Sequence, residues 1–369
     1  MLPPGLPLSE ALAARAEALC AVPSPIGEER ALCDAVEAWA RPRAAHLRRV
    51  KDSLVLSFDA GRDLPGGASG RPLVLLCGHL DTIPVPEADR GKAPRREGGR
   101  LVATGSSDMK GGLSVMLELA ERLPSAARSC DLALVLYARE EGPFLENELG
   151  DVLREVPALA GAELAVCLEP TDLALQLGCV GSIHATFTFR GRSAHSARPW
   201  QGENAVHRAG ALLSELQARP PREASSGGLP FREVLSCTRI EGGRARNVVP
   251  DECRLNLNFR FAPDRTLEAA CEELRGLGAR HGAQVAFTDL SPAAPAFADR
   301  PLVQRLAAAT CRPPEPKQAW TDVARLAAAG IPAVNYGPGA TAQAHQAGEW
   351  LELDALPRCY RVLEGVLTG

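Results

Sequence analysis

The sequence predicts an α/β fold in two parts: a main domain on a central, largely parallel sheet, and an inserted domain of ferredoxin-like β-α-β-β-α-β order. Three observations carry this. Uninterrupted apolar runs such as Pro72-Leu-Val-Leu-Leu-Cys77 alternate with helical stretches in the first half of the chain, the grammar of strands covered on both faces by helices. After Gly178 the strands switch to strict alternation of apolar and polar residues, the mark of a sheet with one buried face. Beyond Ser291-Pro-Ala-Ala-Pro295 the first grammar returns. The main domain is therefore expected over 1–178 and 293–369, and the insert over 179–292.

Along the chain, helical spacing covers 8–21 and 28–40, separated by Pro23-Ser24-Pro25-Ile26-Gly27, which no helix crosses. Short strands follow at 47–50 and 54–58, then a Gly/Pro/Ser loop over 61–70 and the apolar strand at 72–77. A helix at 111–123 and strands at 132–138 and 164–168 complete the first half. The insert reads strand 182–189, helix 203–217, strand 233–240, strand 254–261, helix 267–281 and strand 284–289. Within it, the low-complexity stretch 218–230 is short enough to be a loop. Helices at 301–310 and 322–329, a strand at 333–336, a Gly-Pro-Gly turn and a helix at 354–367 close the chain.

The 369 residues carry 41 basic against 45 acidic side chains, a formal charge of −4 with no basic cluster. That balance offers no face to a phosphate backbone or an anionic membrane, so neither nucleic acid nor membrane is an expected partner. No apolar run approaches the ~20 residues of a membrane span, and no basic stretch followed by an apolar one opens the chain. The eleven cysteines are odd in number, scattered and without a C-x-x-C pair. Free thiols in a reducing cytoplasm are the expectation.

Five short motifs follow apolar strands, open a helix or follow a turn. His79-Leu-Asp81 comes after the strand at 72–77, and Asp108-Met-Lys110-Gly-Gly opens the helix at 111–123. Glu140-Glu141 ends one strand, Glu169 ends the next, and Ala344-His345-Gln follows the Gly-Pro-Gly turn. Ligands in open α/β sheets gather at the carboxyl ends of strands, so the five motifs can share one crevice. Two histidines with several carboxylates suit a two-metal hydrolase better than a thiolate zinc site. The charges balance: two divalent ions against a bridging Asp108, terminal Glu141 and Glu169, and a hydroxide, with neutral His79 and His345 as caps. Asp81 is placed to accept the second ring N–H of His79. Adjacent Glu140 and Glu141 point in different directions, so one can bind metal while the other faces the attacking water as general base.

A single acidic pair is usually solvated surface; the weight lies in five motifs with complementary donors. His46, His207 and His281 stand outside any such motif. Two rival chemistries lack their signatures. Lys110 precedes its glycines instead of following one, unlike a phosphate loop, and there is no G-x-S-x-G elbow of a serine hydrolase.

The motifs resemble those of the di-zinc M20 metallopeptidase family, which holds succinyl-diaminopimelate desuccinylases, acetylornithine deacetylases and dipeptidases, and the likeness runs over nearly the whole chain. Longer strings are similar to its actinobacterial desuccinylase branch: Arg192-Ser-Ala-His195-Ser-Ala-Arg198, Gly202-Glu-Asn-Ala-Val-His207, Asn247-Val-Val-Pro250, Leu257-Asn-Phe-Arg260-Phe and Trp320-Thr-Asp322-Val-Ala-Arg325. The resemblance implies a zinc-peptidase-like catalytic domain with a central mixed sheet, interrupted by a dimerisation domain. It implies two Zn2+ per subunit, with Co2+ as a substitute, bridged by Asp108. His79 and Glu169 then complete one metal, Glu141 and His345 the other, and Glu140 is the general base.

The resemblance also implies a homodimer in which His195 reaches the partner subunit's active site and stabilises the oxyanion. The implied substrate is an N-acyl amino acid, N-succinyl-LL-2,6-diaminopimelate, or acetylornithine if the chain belongs to the alternative branch. Asn247, Arg260 and Arg198 are candidates for holding substrate carboxylates, since arginine offers a planar two-pronged fork. Where many proteobacterial desuccinylases carry Arg-Arg-Gly-Ser, this chain has Cys179-Val-Gly181-Ser182. Those contacts therefore do not transfer directly, and Arg192 or Arg198 is expected to compensate.

Overall fold

A computed structural model describes residues 5–59 and 70–369; the loop expected over 61–70 lies outside them except for Gly70. The chain runs through α1 (Leu8–Cys20), α2 (Arg30–Ala40), β1 (His46–Val50), β2 (Ser53–Ser57), β3 (Leu73–His79), β4 (Arg95–Glu97) and β5 (Arg100–Val102). It continues through α3 (Gly111–Arg122), β6 (Asp131–Tyr137), α4 (Leu149–Glu155), β7 (Leu164–Cys167), β8 (Gln176–Leu177), β9 (Gly181–Arg190) and α5 (Ala205–Ala218). Next come β10 (Arg222–Ser226), β11 (Leu229–Gly242), β12 (Glu252–Phe261), α6 (Leu267–His281) and β13 (Gln284–Ser291). The last elements are α7 (Pro301–Thr310), β14 (Glu315–Pro316), α8 (Val323–Ala328), β15 (Ala333–Asn335), β16 (Trp350–Glu352) and α9 (Ala355–Thr368). They group into two compact units. One comprises Met1–Leu177, Ala296–Glu315 and Arg325–Gly369, the other Gly178–Pro295 and Pro316–Ala324.

The first unit is built on an eight-stranded sheet of order β1-β2-β6-β3-β7-β15-β8-β14. Its centre, β6-β3-β7-β15, is parallel, but β2 joins β6 and β8 joins β15 antiparallel, so the sheet is mixed and less parallel than the apolar runs alone suggest. Every residue of β3, β6 and β7 is buried, which is why these strands are apolar without alternation. The registers His79↔Tyr137, Cys77↔Cys167 and Cys167↔Asn335 bring the carboxyl ends of the four parallel strands to one edge. The residues that follow each strand leave from there. A second, three-stranded sheet, β16-β5-β4, has no sequence signal, because Arg95-Arg-Glu97 and Arg100-Leu-Val102 are too short and charged to show a period.

The second unit is an antiparallel five-stranded sheet of order β10-β11-β12-β9-β13. The order β13-β9-β12-β11 is ferredoxin-like, and α5 and α6 cover one face, burying Ile183, Phe187, Phe189, Leu255, Leu257 and Phe259 against Ala209, Leu212 and Leu274. Asn204 caps α5 by accepting the N–H groups of Val206 and His207, and Gly282, at φ 67°, ends α6 in the left-handed conformation. One expectation is corrected. The stretch 218–230, read as a loop, forms β10 and the start of β11. Arg222-Glu-Ala-Ser-Ser226 lacks apolar alternation because charge holds it in place: the Arg222 guanidinium bonds Glu233 (2.9 Å) and Asp264 (2.7 Å). No helix among the described residues is long and apolar enough to cross a membrane, and all eleven cysteines are free.

Candidate metal centre

His79 ends β3 and is buried. Its Nε2 lies 3.1 Å from Asp108 Oδ1, while its Nδ1 lies 3.0 Å from the Asp81 main-chain oxygen and 3.6 Å from Asp81 Oδ1. The nearer acceptor for the second ring nitrogen is thus the Asp81 backbone. The Asp81 carboxylate, fully buried, accepts the backbone N–H groups of Glu140 (3.1 Å) and Glu141 (2.8 Å) instead. Arg139, at φ 64°, turns the chain out of β6 just before that pair. Asp81 therefore ties the end of β3 to the turn that carries both glutamates.

Asp108 sits in an irregular turn, Ser106–Lys110, ahead of α3, and its peptide bond to Met109 is cis. The glycines that follow are there for packing. A Cβ at Gly112 would stand 2.4 Å from the Leu168 carbonyl oxygen, so only glycine lets the start of α3 lie against the chain just before Glu169. Lys110 is buried and donates to the Val22 main-chain oxygen at 2.8 Å, so its ammonium anchors the turn rather than meeting a phosphate. His345, at φ 63°, places Nε2 2.8 Å from Glu141 Oε2 and 3.8 Å from Asp108 Oδ2.

These side chains form three groups whose ligand atoms lie within 4.8 Å of one another: His79–Asp108–Glu169, Asp108–Glu141–His345 and His79–Glu140–Glu141. The first two share Asp108. Each supplies one imidazole and two carboxylates, a donor set that fits a divalent cation such as zinc. The electrostatics agree. Burial opposes charge on His79, but its hydrogen bond to Asp108 and the nearby Glu169 and Asp81 carboxylates prevail, holding the imidazole well above its ordinary pKa. The hydrogen bond that His345 donates to Glu141, with the Glu141 and Asp108 charges, outweighs burial and raises His345 likewise. Carboxylates so concentrated draw positive charge, whether as protons or as metal.

Sequence reasoning missed Glu349. It is buried, and its Oε1 accepts the N–H groups of Ser107 (2.7 Å) and Asp108 (2.9 Å) while Oε2 accepts that of Gly105 (2.6 Å). Burial pushes its carboxyl up to about 7, against the pull of those three donors. It thus shapes the turn that presents Asp108. The signal in the sequence is slight: an acid close after His345 and immediately before the short strand β16, acting on a turn 241 residues upstream.

The other candidates lie in the second unit. His195 is exposed on the loop after β9, and that loop is tied to a second one by the His195↔Val248 bridge and the Ser196 N–H to Asn247 main-chain oxygen bond (2.9 Å). Arg198 donates its backbone N–H to the His195 oxygen at 2.8 Å, so His195, Arg198 and Asn247 share one loop pair. The Ala197 N–H donates to His195 Nδ1 (3.1 Å), which leaves the hydrogen of a neutral ring on Nε2. Arg260, half-buried on β12, donates from Nε to Asn258 Oδ1 at 3.0 Å, and burial pulls its pKa down. Arg192 spends its Nε on the Gln201 main-chain oxygen (3.1 Å). Gly181 is required by packing, since a Cβ there would stand 2.1 Å from the Phe261 ring.

A mixed sheet with an imidazole–carboxylate cluster at its strand ends defines a metallohydrolase, and the chain belongs to peptidase family M20/M25/M40, which matches residues 75–369. Within that class it is similar to a Mycobacterium tuberculosis protein provisionally named a succinyl-diaminopimelate desuccinylase. The two are 37% identical over 353 residues, spanning 95% of this chain and 96% of the relative. The succinyl-diaminopimelate desuccinylase of Corynebacterium glutamicum is 34% identical over 372 residues, 100% of this chain and 99% of the relative. Among solved structures, the aminopeptidase PepT of Bacillus cereus matches with a TM-score of 0.77 at 18% identity, covering 98% of both chains.

Proposed function

We propose that this chain is a two-zinc amidohydrolase that cleaves N-succinyl-LL-2,6-diaminopimelate to succinate and LL-2,6-diaminopimelate. The observation that carries the chemistry is the pair of ligand groups sharing Asp108. The substrate rests on similarity to two desuccinylases over nearly the whole length of each. Asp108 would bridge the cations, His79 and Glu169 would hold one, and Glu141 and His345 the other. The bound ions would acidify a water and polarise the amide carbonyl.

Glu140 is the general base: its carboxylate takes the proton of the attacking water and returns it to the amine nitrogen as the C–N bond breaks. Asp81, by holding the Glu140 backbone N–H, sets where that carboxylate stands. The segment 179–292 is an insert through which two copies of the chain pair, leaving 1–178 and 293–369 as the catalytic domain. His195 of the partner subunit donates Nε2–H to the oxyanion, a role supported by the Ala197 N–H on its other ring nitrogen. Arg260, Asn247 and Arg198 hold the substrate's carboxylates, and the enzyme works in the cytoplasm.

The test is to assay the purified, zinc-loaded enzyme on N-succinyl-LL-2,6-diaminopimelate beside N-acetylornithine. A large preference in kcat/KM for the succinyl substrate is expected. A preference for acetylornithine would overturn the substrate while leaving the metal chemistry standing.

A further inference from the structure

The helix-free face of the second unit's sheet carries a connected polar row. On β9 and β12 the apolar residues Ile183, Ala185, Leu257 and Phe259 pack in the core beneath α5 and α6. Strand periodicity therefore puts His184, Asn256, Asn258 and Arg260 on the opposite face, where all four are half-buried. The register pairs Asn258 with His184 and Arg260 with Ser182. Arg260 donates from Nε to Asn258 Oδ1 (3.0 Å), and Asn258 Nδ2 faces His184 Nε2 at 3.0 Å.

The hydrogen-bond roles along this row are determined by its two ends. Nε of an arginine can only donate, so Asn258 must offer it oxygen and turn its amide nitrogen to the imidazole. His184 Nε2 is then the acceptor, and the ring hydrogen sits on Nδ1. That hydrogen meets the Asn256 carboxamide, 3.3 Å away, when the carboxamide oxygen faces the ring. The same orientation explains the 2.6 Å separation between Asn256 and the Thr238 hydroxyl, short for an N–H···O bond but ordinary for O–H···O. The hydrogens on Arg260 Nε, Asn258 Nδ2 and His184 Nδ1 then each meet an acceptor, and Arg260 is held through its Nε. Among the described residues no carboxylate stands within ion-pair range of its guanidinium, Asp289 acting only at longer range.

We propose that Asn258 and His184 are positioning residues that lock the Arg260 side chain, leaving its two terminal nitrogens as a ready-made fork for one substrate carboxylate. This rests on the proposed role of Arg260 in holding such a carboxylate. An arginine otherwise free to rotate loses side-chain entropy when it binds, about 0.5–1.5 kcal/mol, and prior immobilisation removes that cost.

The test uses the zinc-loaded enzyme with Asn258→Leu, His184→Ala, His184→Gln and Arg260→Ala, measuring KM and kcat for N-succinyl-LL-2,6-diaminopimelate and the inhibition constant of succinate. Asn258→Leu and His184→Ala are each expected to raise KM about 2- to 10-fold, the same entropy converted at 1.4 kcal/mol per decade, with the change in KM exceeding that in kcat. His184→Gln, whose amide oxygen can stand where Nε2 stands, should recover most of the loss. Neither substitution should add to Arg260→Ala, because they act through that guanidinium.

An equal KM increase from Asn258→Leu with and without Arg260 would overturn the positioning role and leave Arg260 as a substrate ligand. No KM effect from Arg260→Ala would overturn the substrate reading of Arg260 and the proposal with it. If Asn258→Leu does not fold, the His184 pair on the neighbouring strand decides the question alone.

Discussion

Asp81→Asn isolates the contribution of one buried carboxylate to the turn that carries Glu140 and Glu141. The substitution keeps the side chain's shape and one oxygen but puts an NH2 where the other oxygen accepted a backbone N–H. In the native chain both oxygens are occupied, by Glu140 N at 3.1 Å and Glu141 N at 2.8 Å, and the group has no exposed surface from which water could substitute. The variant loses one charge-assisted hydrogen bond, about 1.5–3 kcal/mol, and leaves an N–H facing a second donor, about 1–3 kcal/mol more. The turn bears both the proposed general base, Glu140, and a proposed metal ligand, Glu141, so the cost falls on their placement. At 1.36 kcal/mol per decade, a cost near 3 kcal/mol lowers kcat/KM by about 10²-fold. The assay is steady-state kinetics on N-succinyl-LL-2,6-diaminopimelate, with metal content by elemental analysis and folding by circular dichroism. A folded Asp81→Asn enzyme with kcat/KM within about threefold of the parent would show that something other than this carboxylate sets the turn.

Other predictions follow from the same geometry. Glu349→Ala leaves the N–H groups of Gly105, Ser107 and Asp108 without their acceptor; zinc affinity, read by competition with a chromogenic chelator, should fall about 10- to 100-fold, as for other groups that orient metal ligands, and an unchanged affinity would refute the role. In the metal-free protein the pKa values of His79, His345 and Glu349 are all raised. A raised histidine adds stability below its unfolded pKa of about 6.5 that is lost as pH rises through the folded value, and a raised carboxyl brings a penalty that builds up between about 4.5 and about 7 and persists above. The unfolding temperature of the metal-free protein should therefore drop from pH 6 to pH 8, and zinc should restore more at pH 8; a rise with pH would contradict this. Finally, in the proposed homodimer, mixing the inactive Glu140→Ala and His195→Ala variants under subunit exchange should recover part of the activity, because one hybrid site receives both intact groups, and no recovery despite proven exchange would rule out a shared site.

What the sequence disclosed and what it hid differ in physical kind. Strands β3, β6 and β7 could be read because a strand buried on both faces must be apolar throughout, a constraint visible within the segment itself. The edge strand β10 and the β4–β5–β16 sheet could not, because Arg222 or a partner strand far along the chain holds them. The same division runs through the site. His79, Asp108, Glu141, Glu169 and His345 stood out because imidazoles and acids are unusual at the ends of apolar strands, and the structure gathers all five. Glu349 looked like any acid in a polar loop, although it is buried like Asp81 and both of its oxygens are taken up by backbone N–H groups. Asn258 and His184 looked like the solvent side of an alternating strand. In each case the role is set by which donors surround the group in space, and spacing along the chain does not encode that. Asp81 and Glu349 use one device, a buried acid gripping the backbone of the turn that carries the next proposed ligand. A cluster held this way is arranged before any cation arrives. Loss of either acid should therefore cost more metal affinity or rate than loss of an exposed charge equally close to the site, since no water can take its place.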